Sequence, residues 1–369
     1  MSGPVVRAAV LHEQGAPLVV EDIELDEPGP HDVVVRIAAS GVCHSDLSVQ
    51  DGSIPFMFPT VLGHEGAGVV EEVGESVTRV APGDRVVLTW MPACRRCFWC
   101  LAGQPMLCEN GLAESLGGAY ASVGGTKLVR GLGTATFAEK TLVPEGEVIR
   151  IDPGMPLELA ALIGCALSTG VGAVWRTAGV EPGSTVAVVG CGGVGLSVVQ
   201  GARLAGASAV VAVDRVAAKL DLARTLGATA AVDASAGDPV EAVRALTGGR
   251  GVDYAFEVVG RAEAIRAAFA MTRRGGTAVV VGAGSPAEPV SFTAMELFVD
   301  AKTLVGCVYG STDADRDFPT LVELVRTGAI DAPSMVTRRI GLDDVNEALG
   351  AMATAGDVAR SVIVFPGAG

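Results

Sequence analysis

A glycine-rich turn between a β-strand and an α-helix constrains the fold of this chain more than any other feature. The turn, "GCGGVG" at residues 190–195, fits the pattern G-x-G-x-x-G. A strand-like apolar run precedes it, and the helical pattern "VGLSVVQGARLAG" follows it. In this context glycines let backbone N–H groups at a helix N-terminus approach a pyrophosphate. The glycines predicted to bind a dinucleotide here are Gly190, Gly192, Gly193 and Gly195.

An acidic residue at the end of the next apolar run indicates which dinucleotide binds. The run "SAVVAVD" ends in Asp214, nineteen residues after Gly195. A carboxylate at this position can accept hydrogen bonds from both ribose hydroxyls of NAD and would repel the 2′-phosphate of NADP. Arg215 follows directly and could contact a 2′-phosphate. The sequence therefore favours NAD and leaves NADP as the alternative.

The alternation of apolar runs with helical patterns predicts an α/β chain of two domains. From about residue 167, six apolar runs are separated by Ala- and Leu-rich helical patterns, which is typical of a doubly wound, six-stranded parallel sheet. Residues 1 to about 150 are short strands split by Gly and Pro, and predict a mostly antiparallel barrel. The last sixty residues return to this texture and end in the strand "RSVIVF". We predict a mostly-β domain over 1–166 and 309–369 and a dinucleotide-binding domain over 167–308.

Charge and composition argue against several kinds of partner. A formal net charge of −15 over 369 residues disfavours nucleic acid and anionic membranes, because both require a basic surface. The most membrane-like run, residues 185–202, contains five glycines, which argues against a spanning helix. The N-terminus has no apolar leader core, so we expect a cytoplasmic protein.

Four of the eight cysteines form a compact cluster. In a large chain that we expect to be cytosolic, such a cluster is more often metal-binding than disulfide-bonded. Four thiolates in one loop complete a tetrahedral zinc shell and leave no place for a substrate. The residues predicted to hold this structural zinc are Cys94, Cys97, Cys100 and Cys108.

Three further residues could form a second metal site. Cys43, His64 and Cys165 each lie beside a glycine or in a turn-prone stretch. Two thiolates and one imidazole form a catalytic zinc shell that keeps one position open. Spacing alone leaves a second interpretation, in which a core histidine accompanies two inert buried thiols.

Together these motifs resemble the zinc-containing medium-chain alcohol dehydrogenases over essentially the whole chain. The agreement includes "GVCHSD", "VLGHEGAGVVEEVGESV", the four-cysteine loop, "IGCALSTGVGAV", "VAVVGCGGVGL" and "ARSVIVF". The resemblance implies a GroES-like catalytic domain followed by a Rossmann domain. It also implies reversible oxidation of an alcohol to an aldehyde or ketone with NAD and two zinc ions, one catalytic and one structural.

The resemblance also implies a role for each polar residue near the second cluster. It makes Cys43, His64 and Cys165 the catalytic zinc ligands. Glu65 would be a carboxylate able to approach the metal, and Asp46 would orient the histidine ligand. The alternative for Asp46 is a helix cap. The resemblance implies that Ser45 accepts the proton of the bound alcohol. It also implies that His44 contacts the pyrophosphate of the cofactor.

Ser48 stands where many liver-type members have a histidine that ends the proton relay. Here Ser48 either relays the proton or is a polar residue without a role in the relay.

The resemblance assigns several residues outside the turn to the cofactor. For two of them, Lys219 and Arg360, a solvated surface cation is the alternative. Together with Asp214 and Arg215, which follow from the motif itself, the cofactor residues outside the glycines are Thr169, Val194, Lys219, Val258, Val281, Gly282, Ala283 and Arg360.

The implied substrate pocket is apolar, which favours a primary or aryl alcohol. Glutathione-dependent formaldehyde dehydrogenases tend to have an arginine at the position of Leu112 and an acid at that of Ile54, which argues against a charged thiol adduct. The pocket residues are Ile54, Trp90, Leu112, Leu132 and Val281.

Three other functions remain open. One is a nicotinoprotein that keeps NAD bound and uses an external acceptor, and another is a secondary-alcohol or polyol dehydrogenase. The third is a non-enzymatic redox sensor that binds NAD and zinc. The long connection between Cys108 and Gly133 resembles that of the dimeric family members. We therefore expect a homodimer.

Overall fold

The computed structural model describes residues 3–354 and 360–367, and the chain divides into two compact units. The first unit contains the described residues up to Cys165, Asp313–Gly328 and the described residues from Val336 onward. The second contains Ala166–Thr312 and Ala329–Met335. The predicted domain limits differ from this division at residues 166, 309–312 and 329–335. The last segment stays with the second unit because the Gln200 side chain accepts a hydrogen bond from Asp331 N at 2.7 Å.

Eighteen strands and twelve α-helices make up the described chain. The strands are β1 Val5–Leu11, β2 Val19–Leu25, β3 Asp32–Gly41, β4 Thr60–Val61, β5 Glu65–Val73, β6 Arg85–Leu88, β7 Ala119–Val123, β8 Thr126–Arg130, β9 Lys140–Pro144, β10 Val148–Arg150, β11 Thr185–Val189, β12 Ala209–Asp214, β13 Ala230–Asp233, β14 Val252–Glu257, β15 Thr272–Val280, β16 Thr303–Gly306, β17 Arg338–Ile340 and β18 Ser361–Val364.

The helices are α1 His44–Asp51, α2 Phe98–Leu101, α3 Glu109–Ser115, α4 Leu157–Ala161, α5 Ala166–Gly172, α6 Gly193–Leu204, α7 Ala217–Thr225, α8 Pro239–Leu246, α9 Ala262–Met271, α10 Ala294–Asp300, α11 Ala314–Arg326 and α12 Val345–Ala353. Within the described ranges no single helix is long and apolar enough to cross a membrane, although one bent pair of helical segments meets the length and composition criteria.

The first unit combines a closed barrel with a second, mostly antiparallel sheet. The barrel order is β1-β2-β7-β8-β4, and the larger sheet runs β10-β6-β5-β3-β18-β17 with β9 also paired to β3. The strand β18 lies antiparallel to β3, with Val362 opposite Gly41. This pairing brings the end of the chain back to the first unit, as the sequence predicts.

The second unit is built on a six-stranded parallel sheet in the order β13-β12-β11-β14-β15-β16. Counted within the sheet, this is the order 3-2-1-4-5-6 of doubly wound dinucleotide-binding folds. All six apolar runs form strands, and α6 to α9 follow the first four of them. The predicted Rossmann sheet is confirmed. Ligands of such sheets bind outside the carboxyl ends of the strands.

The connection between Cys108 and Gly133 contains structure that the sequence analysis does not predict. It forms α3 and the hairpin β7–β8, which completes the barrel. The hairpin turns at Gly124 and Gly125, whose φ values are 53° and 82°. Paired glycines between two strand-like runs are a hairpin signal, and "AYASVGGTKLVR" has this pattern.

A buried acid in the first unit predicts a pH-dependent stability. Glu147 is fully buried, and neither carboxylate oxygen has a hydrogen-bond partner among the described residues. Burial raises the pKa of Glu147 from 4.5 to about 8, although Arg130, with Nη2 3.9 Å from Oε1, opposes this shift. The folded state then keeps a proton that the unfolded state releases, so stability falls as pH rises from 4.5 to about 8.

The variant Glu147→Gln should lose this decline. Its free energy of unfolding should exceed that of the wild type at about pH 8 and approach it near pH 5. Urea denaturation at both pH values measures the difference. If the variant and the wild type differ in free energy of unfolding by the same amount at both pH values, Glu147 does not titrate in this range.

Candidate active site

Four side chains from distant parts of the first unit meet in one buried cluster. The ligand atoms of Cys43, His64, Glu65 and Cys165 all lie within 4.8 Å of one another, and all four residues are buried. A metal ion fits this cluster because two thiols and an imidazole form a zinc donor set. The structure therefore brings together the three predicted ligands and the carboxylate next to them.

The helix α1 and the turn before His64 are joined by one carboxylate. Asp46 Oδ2 accepts a hydrogen bond from Cys43 N at 3.0 Å, which caps the start of α1. Its Oδ1 accepts from Gly63 N at 3.0 Å and lies 3.2 Å from His64 Nδ1. Asp46 thus both caps the start of α1 and contacts the His64 ring. Because Nδ1 faces Asp46, the Nε2 atom of the histidine is left to bind a metal.

Glu65 is held by a buried arginine. Arg360 pairs with Glu65 Oε1 and donates from Nη1 to Val42 O at 3.0 Å. Burial raises the pKa of Glu65 to about 8, and Arg360 opposes the shift. The other oxygen, Oε2, is buried with no hydrogen-bond partner among the described residues. A Cβ atom on Gly41 would lie 2.0 Å from Oε2, so only glycine leaves room for this carboxylate.

Arg360 is therefore buried, which rules out the alternative of a solvated surface cation. Its side chain is 4% exposed, and the hydrogen bonds that it donates run to Glu65 and Val42. The contact with pyrophosphate stays a prediction.

Helix α1 also carries the residues predicted to handle the proton and the cofactor. Ser45 Oγ lies 3.8 Å from Cys43 Sγ, at the edge of the cluster. Ser48 is buried one turn further along, whereas His44 is exposed. The two serines are therefore three residues apart on one helix, a spacing that places their side chains on the same face.

The four-cysteine loop forms a second cluster between β6 and α3. Its thiol atoms also lie within 4.8 Å of one another. Cys108 is fully buried, and its Sγ accepts hydrogen bonds from Cys94 N and Gly111 N, both at 3.3 Å. A hydrogen bond from the Arg96 backbone lowers the pKa of Cys94 to about 6. Such N–H donors stabilise thiolates, so the loop suits a structural zinc. The cluster residues are Cys94, Cys97, Cys100 and Cys108.

Arg95 joins this loop to the start of α11. Its φ of 62° is in the left-handed region, which is unfavourable for a residue with a Cβ atom. Its Nη1 and Nη2 atoms donate to both carboxylate oxygens of Asp313 at 2.7 and 2.6 Å, and Nη2 also donates to Asp315 at 2.6 Å. A bidentate arginine–carboxylate pair has a fixed geometry. We infer that these ion pairs hold the loop in its metal-binding shape.

The variant Arg95→Ala should therefore lose zinc from the four-cysteine cluster about 5-fold faster in the presence of a chelator, as expected for loss of a small ion-pair network. High salt should speed release from the wild type in the same direction, because it screens exposed ion pairs. The neighbouring exposed Arg96 provides the matched control, Arg96→Ala. Equal release from both variants would contradict the role of Arg95.

The dinucleotide turn has the geometry that the sequence predicts. Gly192 caps α6, which begins at Gly193. A Cβ atom on Gly195 would lie 1.8 Å from Gly190 O, whereas one on Gly192 would meet no described atom within 4 Å. The fold thus requires glycine at 195 but not at 192. The open space beside Gly192, at a helix N-terminus, fits a pyrophosphate.

Asp214 ends β12 beside this turn. One carboxylate oxygen accepts from Cys191 N at 2.7 Å, and the other accepts from Arg215 N and Val216 N at 2.7 and 3.0 Å. These bonds fix the carboxylate at the carboxyl edge of the sheet, where ribose hydroxyls bind in this fold.

The other predicted cofactor residues of the second unit lie on helices or just after strands. Thr169 is buried in α5, and Lys219 lies on α7. Val258 follows β14 directly. The residues that follow β15 are Val281, Gly282 and Ala283.

Four predicted pocket residues lie in the first unit and one, Val281, in the second. Ile54 and Leu132 pack against the apolar core. Leu112 is 54% exposed on α3.

The described geometry, with two zinc-type donor clusters and a dinucleotide turn, defines a zinc-binding dehydrogenase. Comparisons with known proteins agree. The family described as "Alcohol dehydrogenase GroES-like domain" matches residues 29–153, and "Zinc-binding dehydrogenase" matches residues 193–327. The chain belongs to the zinc-containing medium-chain alcohol dehydrogenase family and is an oxidoreductase of that family.

Relatives over nearly the full length include enzymes with different names. The chain is 39% identical to the NDMA-dependent alcohol dehydrogenase of Amycolatopsis methanolica, over 92% of this chain and 94% of that one. It is 38% identical to the S-(hydroxymethyl)glutathione dehydrogenase of a Synechocystis strain, over 97% and 99%. The crystal structure of benzyl alcohol dehydrogenase from Acinetobacter calcoaceticus is 32% identical, with a TM-score of 0.91 and coverage of 98% and 99%.

Proposed function

We propose that the protein oxidises primary or aryl alcohols to aldehydes, reversibly, with NAD and a catalytic zinc ion. The observation that carries the proposal is the buried cluster of Cys43, His64 and Cys165, with the Ser45 hydroxyl at its edge. Zinc in this cluster would supply a Lewis acid that lowers the pKa of an alcohol hydroxyl, and NAD would accept the hydride.

The residues of the chain bind, orient and move a proton around this chemistry. Asp46 holds the His64 ring through Nδ1. Ser45 Oγ accepts the proton of the alcohol as it gives up its own hydroxyl proton, and Ser48, on the same face of α1, extends the path by which that second proton leaves. Arg360 holds the Glu65 carboxyl in place in a buried environment. In the second unit, the turn at Gly192 binds the pyrophosphate of NAD.

The apolar character of Ile54, Trp90 and Leu132 supports an apolar substrate. A relative named for benzyl alcohol agrees with this choice. Another relative is named for S-(hydroxymethyl)glutathione. Against that substrate, Leu112 and Ile54 offer no charged group to a glutathione adduct. A hydroxyl-rich polyol would also lack polar partners in such a lining.

A nicotinoprotein is the second candidate, because one relative at 39% identity is named for its dependence on NDMA. One assay separates the candidates. Extensively dialysed protein is mixed with benzyl alcohol or hexanol and with NAD, NADP or NDMA. Turnover with free NAD supports the proposal, whereas retained NAD absorbance and turnover only with NDMA support the nicotinoprotein. No turnover under any condition would favour the redox sensor.

We also propose that the protein is a homodimer. Strand β16 is one of the two edge strands of the parallel sheet, and three of its four residues are exposed. Exposed apolar residues, including Phe298 at 82% and Leu304 at 38%, lie on α10 and β16. Unpaired edge strands with apolar side chains favour pairing with another chain.

The variant Leu304→Glu should therefore shift the protein towards the monomer in sedimentation at fixed concentration, because it places charge on this edge. Leu246→Glu is the matched control, since Leu246 is an exposed leucine on α8. An unchanged sedimentation coefficient for Leu304→Glu would exclude this edge as the interface.

A further inference from the structure

The peptide bond between Gly63 and His64 is held from outside the metal cluster. Gly63 has a φ of 92°, and a Cβ atom there would lie 2.6 Å from Phe137 and 2.7 Å from Thr136 Oγ1. The turn that leads into the metal ligand His64 therefore requires glycine at position 63. On one side of this turn, Asp46 accepts the Gly63 N–H.

The other side of the same turn is held by a segment of the β8–β9 connection. The Gly63 carbonyl accepts hydrogen bonds from Thr136 N at 3.0 Å and from Thr134 Oγ1 at 3.1 Å. Thr134 is fully buried, and Thr141 Oγ1 donates to its carbonyl at 2.7 Å. The backbone that carries the Thr134 hydroxyl is therefore held by Thr141.

This contact acts on His64 through covalent geometry. The Gly63 carbonyl and the His64 N–H belong to one planar peptide unit. A hydroxyl that fixes the carbonyl therefore fixes the plane from which the His64 Cα–Cβ bond projects. Asp46 contacts the His64 ring, and the Thr134 hydroxyl, together with Thr136 N, holds the backbone that carries the ring. Outer contacts of this kind are known to tune metal ligands strongly.

We propose that Thr134 is a positioning residue that orients the metal ligand His64. The inference rests on the proposed function only in requiring that the Cys43, His64 and Cys165 cluster binds a metal ion. Loss of the Thr134 hydroxyl should weaken metal retention at this cluster and leave metal binding by the four-cysteine cluster unchanged.

The test uses full-length protein in which Co²⁺ replaces zinc in both clusters, with the variants Thr134→Val and Thr134→Ser. Loss of the hydroxyl in Thr134→Val should change the visible cobalt spectrum and release one cobalt equivalent to a chelator about 10-fold faster. It should lower kcat for benzyl alcohol with little change in KM. Thr134→Ser keeps the hydroxyl and should behave like the wild type.

A matched control is Thr272→Val in the second unit, because Thr272 is also fully buried and donates to Phe269 O at 2.7 Å. It should destabilise the fold to a similar degree without changing the cobalt spectrum. If valine is not accepted at 134, Thr134→Ala removes the same hydroxyl and is interpreted in the same way.

Wild-type cobalt release and spectrum in Thr134→Val would overturn the proposal, as would equal acceleration in Thr272→Val. The readout is separate from the proposed function. A wild type that binds cobalt but does not oxidise alcohols with NAD would refute the function, while the release rates still decide the role of Thr134.

Discussion

Replacement of Cys43 by serine should abolish alcohol oxidation while the protein keeps one of its two zinc ions. Cys43 is one of three zinc-type donors in its cluster and lies outside the four-cysteine loop. An alcohol is a poor ligand compared with a thiolate, so the catalytic position should lose its metal. The loss of a Lewis acid that supplies several kcal/mol should lower kcat at least about 10³-fold.

Metal analysis and turnover of the same sample give both results. Cys307→Ser is the matched control, because Cys307 is buried in the second unit outside both clusters and accepts a hydrogen bond from Thr177 Oγ1 at 3.1 Å. That variant should keep two zinc ions and its activity. Full activity in Cys43→Ser would refute the catalytic role of this cluster.

The second large effect is expected at Gly192. Its backbone is extended, with φ −77° and ψ −168°, and a Cβ atom would meet no described atom within 4 Å. Gly192→Val should therefore fold normally. The new side chain would fill the space through which a pyrophosphate approaches the N-terminus of α6. Loss of one or two charge-assisted hydrogen bonds, each worth about 1.5–3 kcal/mol, should raise the Kd for NAD about 100-fold.

Gly195→Ala provides the contrast, because its Cβ atom would lie 1.8 Å from Gly190 O. It should lower the thermal stability as well as NAD binding, whereas Gly192→Val should change binding alone. Calorimetric titration with NAD and thermal unfolding distinguish the two. Unchanged NAD affinity in Gly192→Val would show that the cofactor does not bind at this turn.

The sequence predicts the architecture well because its signals are local. Each parallel strand begins as an apolar run, and each helix between them has its own periodicity, so six runs become β11 to β16. The hairpin β7–β8 also had a local signal in Gly124 and Gly125. The resemblance to dimeric family members predicts only that the connection is long and does not specify strands within it.

The donor atoms of the site could be predicted, but the contacts that hold them could not. Thiols and imidazoles beside glycines suggest metal ligands because few other side chains bind zinc. Thr134 and Gly63 are 71 positions apart, and Arg95 and Asp313 are 218 apart. A threonine or an arginine has many common roles, so only the folded chain shows which partner it meets.

The most direct test of the account is NADH formation from benzyl alcohol as a function of zinc content. Protein is stripped of metal and reloaded with increasing zinc, and each sample is assayed for bound zinc and for NADH absorbance. We predict that activity appears as the cluster of Cys43, His64 and Cys165 fills, and that full activity requires two zinc ions per chain. Undiminished activity in metal-free, folded protein would contradict the account.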